Sequence, residues 1–141
     1  AKNFQSAMGM ARQLEFSVFD LRLHSQASSL DASQIQALLD DVREQTAVVP
    51  VVPFNRFQNS FSHIFAGGYA AGYYSYKWAE VLDADAFEAF KEAGIFDPTT
   101  AALFKDHILS KGGTEQPMEL CKKFRGQEPT PEALLKRAGL I

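Results

Sequence analysis

The segment from Phe61 to Trp78 reads FSHIFAGGYAAGYYSYKW and places one histidine and four tyrosines around a Gly-Gly pair. Glycine pairs let the backbone approach a ligand closely. From Tyr69 onward the apolar residues recur with a helical rhythm as far as Gly94, so the sequence predicts a loop that leads into a long helix. In such a helix Tyr69, Tyr73 and Tyr76 would share one face, because they are four and three residues apart.

The predicted tyrosine face has two interpretations, and the spacing leaves both open. In the first, the hydroxyls line a groove and donate hydrogen bonds to a carbonyl or an oxyanion. In the second, the rings form an aromatic stripe of the core and only the hydroxyls reach water.

The rest of the chain also predicts helices, and the fold class is expected to be all-α. No alternating strand pattern or hairpin turn signal is found. Asp31 is a predicted N-cap, and Asp97 followed by Pro98 predicts another helix start. Pro50 and Pro53 predict a loop between Val48 and Ser62. The predicted helices span residues 3–24, 31–45, 69–94, 97–110 and 117–124, with a last helix that opens at 130–132.

Length and composition favour one packed domain over residues 1–141, since 46% of the residues are hydrophobic and 22% are charged. A net charge of -3, with no basic run longer than Lys122-Lys123, argues against nucleic acid and anionic lipid as partners. No stretch approaches the ~20 apolar residues of a membrane helix, so a soluble protein is expected. The single cysteine, Cys121, fits a reducing, cytoplasmic compartment.

Outside the tyrosine segment, the titratable residues favour structural roles. Asp20 and His24 are four residues apart on the first predicted helix, a spacing that suits either a shared metal or a hydrogen-bonded pair. The pair is favoured because no third ligand is indicated. His107 is expected on the surface near a helix end, and Cys121 is expected to be a buried or half-buried thiol. No metal ligand is assigned within the chain.

The segment HIFAGGYAAGYYSY, residues 63–76, resembles the loop-and-helix signature of the thimet oligopeptidase/oligopeptidase A family of zinc metallopeptidases. The likeness extends over essentially the whole chain. The further matching stretches are RQLEF from Arg12, FDLRLH from Phe19, GIF from Gly94, ILSKGG from Ile108 and FRGQEP from Phe124. The resemblance implies that the chain is the helical C-terminal portion of a larger, mostly helical, zincin-like peptidase.

The resemblance also implies roles for six residues of this segment. The groups that would bind the scissile carbonyl and its oxyanion are His63, Tyr69 and Tyr76. The residues that would shape a mobile loop and the substrate-binding site for a peptide are Gly67, Gly68 and Tyr73. The implied substrates are short peptides.

The zinc motif of that family, H-E-x-x-H, does not occur in the 141 residues. The family's ligands precede the stretch that resembles residues 3–24, so the resemblance implies a zinc cofactor that the full-length enzyme binds through an upstream part of the same polypeptide. The chain alone is expected to bind no zinc and to be inactive. The alternative is a stand-alone helical module that holds a peptide or another ligand without catalysis.

Overall fold

A computed structural model describes residues 2–141, and all regular structure within that range is helical. This confirms the predicted all-α class. The helices are α1 (Ser6–His24), α2 (Ala32–Thr46), α3 (Ser75–Ala93), α4 (Pro98–Phe104), α5 (Pro117–Arg125) and α6 (Glu132–Ala138). Two short 3-10 turns, Phe57–Ser60 and Ser62–Ile64, lie between α2 and α3.

Two helix starts follow directly from local sequence. The Asp31 carboxylate accepts hydrogen bonds from the backbone N–H groups of Ser33 at 2.8 Å and Gln34 at 2.9 Å, while the Gln34 side chain accepts from Asp31 N at 2.9 Å. This reciprocal arrangement satisfies donors that a helix start leaves without partners. The Asp97 carboxylate caps α4 without the reciprocal bond, accepting from Thr100 N at 2.7 Å. Both predicted N-caps are confirmed.

Other elements differ from the predicted ones in their details. α1 begins at Ser6 because Gln5 has a φ of 55°, which is incompatible with a right-handed helix. α4 ends at Phe104, and a π-helix over Lys105–Leu109 follows it directly. At the end of this π-helix, Ser110 N donates to Lys105 O at 2.9 Å. The predicted loop at 48–62 contains the first 3-10 turn.

The chain forms two compact units, the first through Lys77 and the second from Trp78. In the first unit α1 packs against α2 and the residues that follow it. Phe19, Leu39 and Val42 have no exposed surface at all. Burial of each such side chain is worth about 1.5–3 kcal/mol, so this cluster stabilises the pairing of the two helices.

A buried ion pair fixes the chain after α2 to α1. Arg43 Nε donates to Glu15 Oε1 at 3.1 Å, and its terminal nitrogen Nη2 donates to Asn55 Oδ1 at 2.9 Å. Asn55 Oδ1 also accepts from Phe57 N at 3.1 Å. The pair therefore sets where the polypeptide enters the segment that carries the histidine and the tyrosines.

In the second unit α3, α4 and α5 share an aromatic cluster. The Phe104 ring lies 5.7 Å from Phe90 and 5.3 Å from Phe124, both edge-on. Arg125 donates to Asp85 at 3.2 Å and to Glu92 at 2.9 Å, joining α5 to α3. Among residues 2–141, no helix has the length and apolar character needed to cross a membrane.

Candidate functional site

Four aromatic side chains that the sequence singled out lie together in the first unit. The His63 ring lies 6.3 Å from Tyr69 and 5.9 Å from Tyr73, measured between centroids. Tyr76 lies 5.0 Å from Tyr69 and 5.1 Å from Tyr73. We call His63, Tyr69, Tyr73 and Tyr76 the His-Tyr cluster.

The cluster does not arise from helical spacing, and that prediction was wrong. α3 begins at Ser75, so Tyr69 and Tyr73 lie in the turns before it. The backbone departs from a helix at Ala71, whose φ is 54°. The rings therefore meet because the loop folds back.

The residue that fixes this loop is Asp20 of α1. Its side chain is completely buried, and its two carboxylate oxygens accept from the N–H groups of Ala71 and Tyr73, each at 2.9 Å. His24 Nδ1 lies 2.8 Å from Asp20 Oδ1. The Asp20–His24 pair was predicted from its spacing, but its connection to the loop was not, because backbone partners of a distant carboxylate leave no sequence signal.

Tyr73 belongs to the core. It is 8% exposed, and its ring meets Phe16 and Phe61 edge-on at 5.8 and 5.1 Å. Its hydroxyl donates to Gln13 Oε1 at 3.1 Å. Burial raises the pKa of Tyr73 above the ordinary 10.0, and the bond to Gln13 opposes this shift. The core interpretation thus describes Tyr73, whose hydroxyl already has a partner that sequence analysis did not identify.

Tyr69 and Tyr76 differ from Tyr73 because they are 37% and 40% exposed. A side-chain hydrogen bond with Tyr69 is the main cause that raises the pKa of Tyr76 above 10.0, and burial and the neighbouring phenols add to it. The two phenol groups are thus hydrogen-bonded to each other at a partly exposed position. The groove interpretation fits these two tyrosines.

The Gly-Gly pair closes the loop over His63. A Cβ at Gly67 would lie 2.9 Å from both Cα and the carbonyl oxygen of His63, so no larger residue fits there without a backbone shift. Gly68 has a φ of 78°, which favours glycine. Immediately afterwards Tyr69 N donates to His63 O at 3.1 Å. The imidazole of His63 itself is exposed.

The described residues do not supply a metal site. Within residues 2–141, no three His, Cys, Asp or Glu side chains are placed to hold one ion. Asp20 and His24 are occupied with each other and with the loop, His107 lies in the π-helix, and Cys121 is half-buried. A catalytic zinc needs three protein ligands, and this donor set does not fit one.

Comparison with known proteins places the chain among the peptidases. Residues 1–140 match the family described as Peptidase family M3. The chain belongs to this family. The resemblance stated from the sequence is thereby confirmed.

Individual relatives agree with that assignment. The chain is 56% identical to oligopeptidase A of Haemophilus influenzae over 141 residues, which is all of the chain and 21% of the relative. It is 48% identical to a probable cytosolic oligopeptidase A of Arabidopsis thaliana over 145 residues, again all of the chain and 21% of the relative. Identity to the dipeptidyl carboxypeptidase of Escherichia coli is 32% over 146 residues, 99% of the chain and 21% of the relative.

The chain therefore spans about a fifth of the length of these relatives. That it corresponds to their C-terminal part, as one domain, stays a prediction.

Proposed function

We propose that the chain is the substrate-binding portion of a zinc metallopeptidase that hydrolyses short peptides. The observation that carries the proposal is the His-Tyr cluster, in which two partly exposed tyrosines and an exposed histidine lie beside a glycine-rich loop. Membership of peptidase family M3 supplies the reaction class. Similarity to a relative described as cytosolic supports a cytoplasmic location.

The proposed role of Tyr69 and Tyr76 is to donate hydrogen bonds to the carbonyl oxygen of the scissile peptide bond. Negative charge develops on that oxygen when the carbonyl is attacked, and donors already in place stabilise it without reorganisation. Tyr76 suits this role because it is partly exposed and its ring lies against those of Tyr69 and Tyr73. The ring contact between the two tyrosines, 5.0 Å between centroids, limits the rotation of both phenols.

His63 is proposed as a third donor to the same carbonyl or to the adjacent peptide backbone. Its position depends on Gly67, whose missing side chain allows the loop to return to within contact of the His63 backbone. Gly68 adopts the left-handed backbone conformation, and the buried ring of Tyr73 is the surface against which Tyr76 packs. These three residues would shape the peptide site without touching the reacting bond.

The zinc of the proposed enzyme would be held by a part of the polypeptide outside residues 1–141. When bound, a zinc ion of this kind activates water and polarises a carbonyl. The residues of this chain bind and orient the peptide. The chain by itself is accordingly proposed to be inactive.

The test compares the full polypeptide that contains this chain with residues 1–141 alone. Zinc content is measured by metal analysis, and hydrolysis is measured with a short fluorogenic peptide. We expect zinc and hydrolysis in the full polypeptide and neither in the isolated chain. One tightly held zinc per isolated chain would contradict the proposal that zinc is held outside residues 1–141. A full polypeptide that binds the peptide without cleaving it would favour the alternative of a non-catalytic module.

A further inference from the structure

A fully buried carboxylate lies beneath the loop of the His-Tyr cluster. Asp20 has no exposed surface, although Phe19 and other apolar side chains make up most of this core. A buried carboxylate is costly unless hydrogen bonds replace the water that it loses. Here both oxygens accept backbone N–H groups at 2.9 Å, and Oδ1 also lies 2.8 Å from His24 Nδ1, so each oxygen has at least one partner.

The two N–H groups that Asp20 accepts lie on either side of Gly72. Ala71 has a φ of 54°, a conformation that residues with a side chain seldom adopt. Oδ1 fixes Ala71 and Oδ2 fixes Tyr73, so the carboxylate holds both ends of this tripeptide at once. The strained turn persists because its outer N–H groups have an anionic acceptor that a helix would not provide.

The tripeptide that Asp20 holds, residues 71–73, lies in the chain between the two exposed tyrosines, Tyr69 and Tyr76. On one side Gly72 N donates to Tyr69 O at 2.8 Å. On the other side the Tyr73 ring supports Tyr76 at 5.1 Å and His63 at 5.9 Å. A shift of the backbone at Ala71 or Tyr73 therefore moves the donors of the cluster relative to each other.

We propose that Asp20 is a positioning residue for the peptide site, acting through the backbone of Ala71 and Tyr73 to set the distance and tilt between Tyr69 and Tyr76. His24 restrains the carboxylate in the rotamer that reaches both N–H groups. The inference rests on the proposed function. It adds a residue that makes no contact with the peptide.

The decisive variant is Asp20→Asn in the full polypeptide. Asparagine keeps the shape of the side chain, but its NH2 group opposes one of the two N–H donors. We expect kcat to fall by about 100-fold, the order of loss that a ~1 Å misplacement causes, with a smaller change in KM. Hydrogen exchange of the amides of Ala71 and Tyr73 should become faster. Asp41→Asn is the matched control, since Asp41 is an exposed carboxylate that pairs with Arg22, and it should leave kcat unchanged.

A double-mutant cycle separates positioning from general destabilisation. If Asp20 acts through the tyrosines, Asp20→Asn costs much less in kcat once Tyr76→Phe has already removed the donor. Fully additive losses, or a wild-type kcat for Asp20→Asn, overturn the proposal. If Asp20→Asn fails to fold, His24→Ala takes its place, because His24 is partly exposed and its loss leaves the carboxylate intact.

For His24→Ala we expect a smaller loss of kcat that again disappears in the Tyr76→Phe background. No loss, or an additive one, overturns the inference. Failure of the proposed function looks different. If the proposed function is wrong, Tyr76→Phe alone leaves kcat unchanged. If Tyr76→Phe lowers kcat but Asp20→Asn does not, the proposed function stands and only the positioning role of Asp20 is contradicted.

Discussion

The phenol rings of Tyr69 and Tyr76 lie with their centroids 5.0 Å apart and are inclined by 30°, although only Tyr76 belongs to α3. Tyr73 lies between them in sequence, yet it is buried and donates its hydroxyl to Gln13. Two tyrosines of the segment are therefore available to a ligand and the third is part of the core. Removing one hydroxyl from each kind should have different consequences.

Under the proposed function, Tyr76→Phe in the full polypeptide should lower kcat by roughly 10- to 1,000-fold, because one preorganised donor to a developing oxyanion would be lost. KM should change much less. The ring contacts with Tyr69 and Tyr73 remain, and only the hydroxyl bond to the partly exposed Tyr69 is lost, so zinc content and thermal stability should stay near wild type. Steady-state kinetics on a short peptide gives both constants. A normal rate would rule out the donor role, and a slow variant that melts early or loses zinc would make Tyr76 a structural residue.

Tyr73→Phe is the matched control because it removes the same atom from a neighbouring ring. Its hydroxyl bonds to Gln13 Oε1 at 3.1 Å, so the expected loss is about 1 kcal/mol in the free energy of unfolding. Chemical denaturation measures this loss. A drop in kcat as large as that of Tyr76→Phe, without any loss of stability, would contradict the distinction between the two tyrosines.

Hydrogen exchange should find the loop from about Asn59 to Gly72 more mobile than the helices, because Gly67, Gly68 and Gly72 lower the cost of alternative backbone states. The amides of residues 64–69 should exchange faster than those of residues 81–90 in α3. Ala71 should be slower than its neighbours, since its N–H donates to the buried Asp20. Equal protection across residues 64–69 and 81–90 would remove the basis for a mobile substrate loop.

Gly67→Ala should reduce kcat/KM by about 100-fold, because the new Cβ at 2.9 Å from the His63 backbone forces that residue to move. Gly113→Ala adds the same methyl group where no atom lies within 4 Å, and it should retain wild-type activity. Kinetics of the two purified variants provides the comparison. Equal activity in both would mean that the close approach at Gly67 has no part in catalysis.

The cap of α2 predicts a specific dependence of stability on pH. The hydrogen bond from the Gln34 N–H, followed by that from the Ser33 hydroxyl, lowers the pKa of Asp31 below its ordinary 3.8. A carboxyl group whose pKa is lowered on folding stabilises the protein above its unfolded pKa, and this contribution is lost as the pH falls through the folded value. Asp31→Ala should therefore destabilise the protein by a constant amount above about pH 5 and by progressively less below pH 3.8.

Urea denaturation of wild type and Asp31→Ala across this pH range tests the prediction. A difference in the free energy of unfolding that does not change between pH 6 and pH 3 would show that the cap does not depend on the charge of Asp31.

Sequence reasoning predicted those parts of the fold whose causes are local. The caps at Asp31 and Asp97 lie within three residues of the groups they bind, so a short pattern identifies them. The start of α3 was misplaced at Tyr69 because the tyrosines have helical spacing. The competing interaction comes from Asp20, which is 51 residues from Ala71.

The candidate site was likewise predicted only in part. The identity of the His-Tyr cluster residues came from a resemblance of residues 63–76, and the structure brings all four rings together. Gln13 and Asp20 were not recognised as parts of it. Asp20 acts on the loop from α1 through two hydrogen bonds and Gln13 through one, and such contacts between distant positions have no periodicity or motif that a sequence displays.

The burial of Asp20 also couples two parts of the first unit that are far apart in sequence. The pairing of α1 with α2 closes a short loop, whereas the partners of Asp20 lie 51 and 53 residues along the chain. Until Ala71 and Tyr73 return to α1, the carboxylate keeps its water, because dehydration without those donors would be too costly. The burial of this one carboxylate consequently couples the stability of the tyrosine segment to that of the two paired helices.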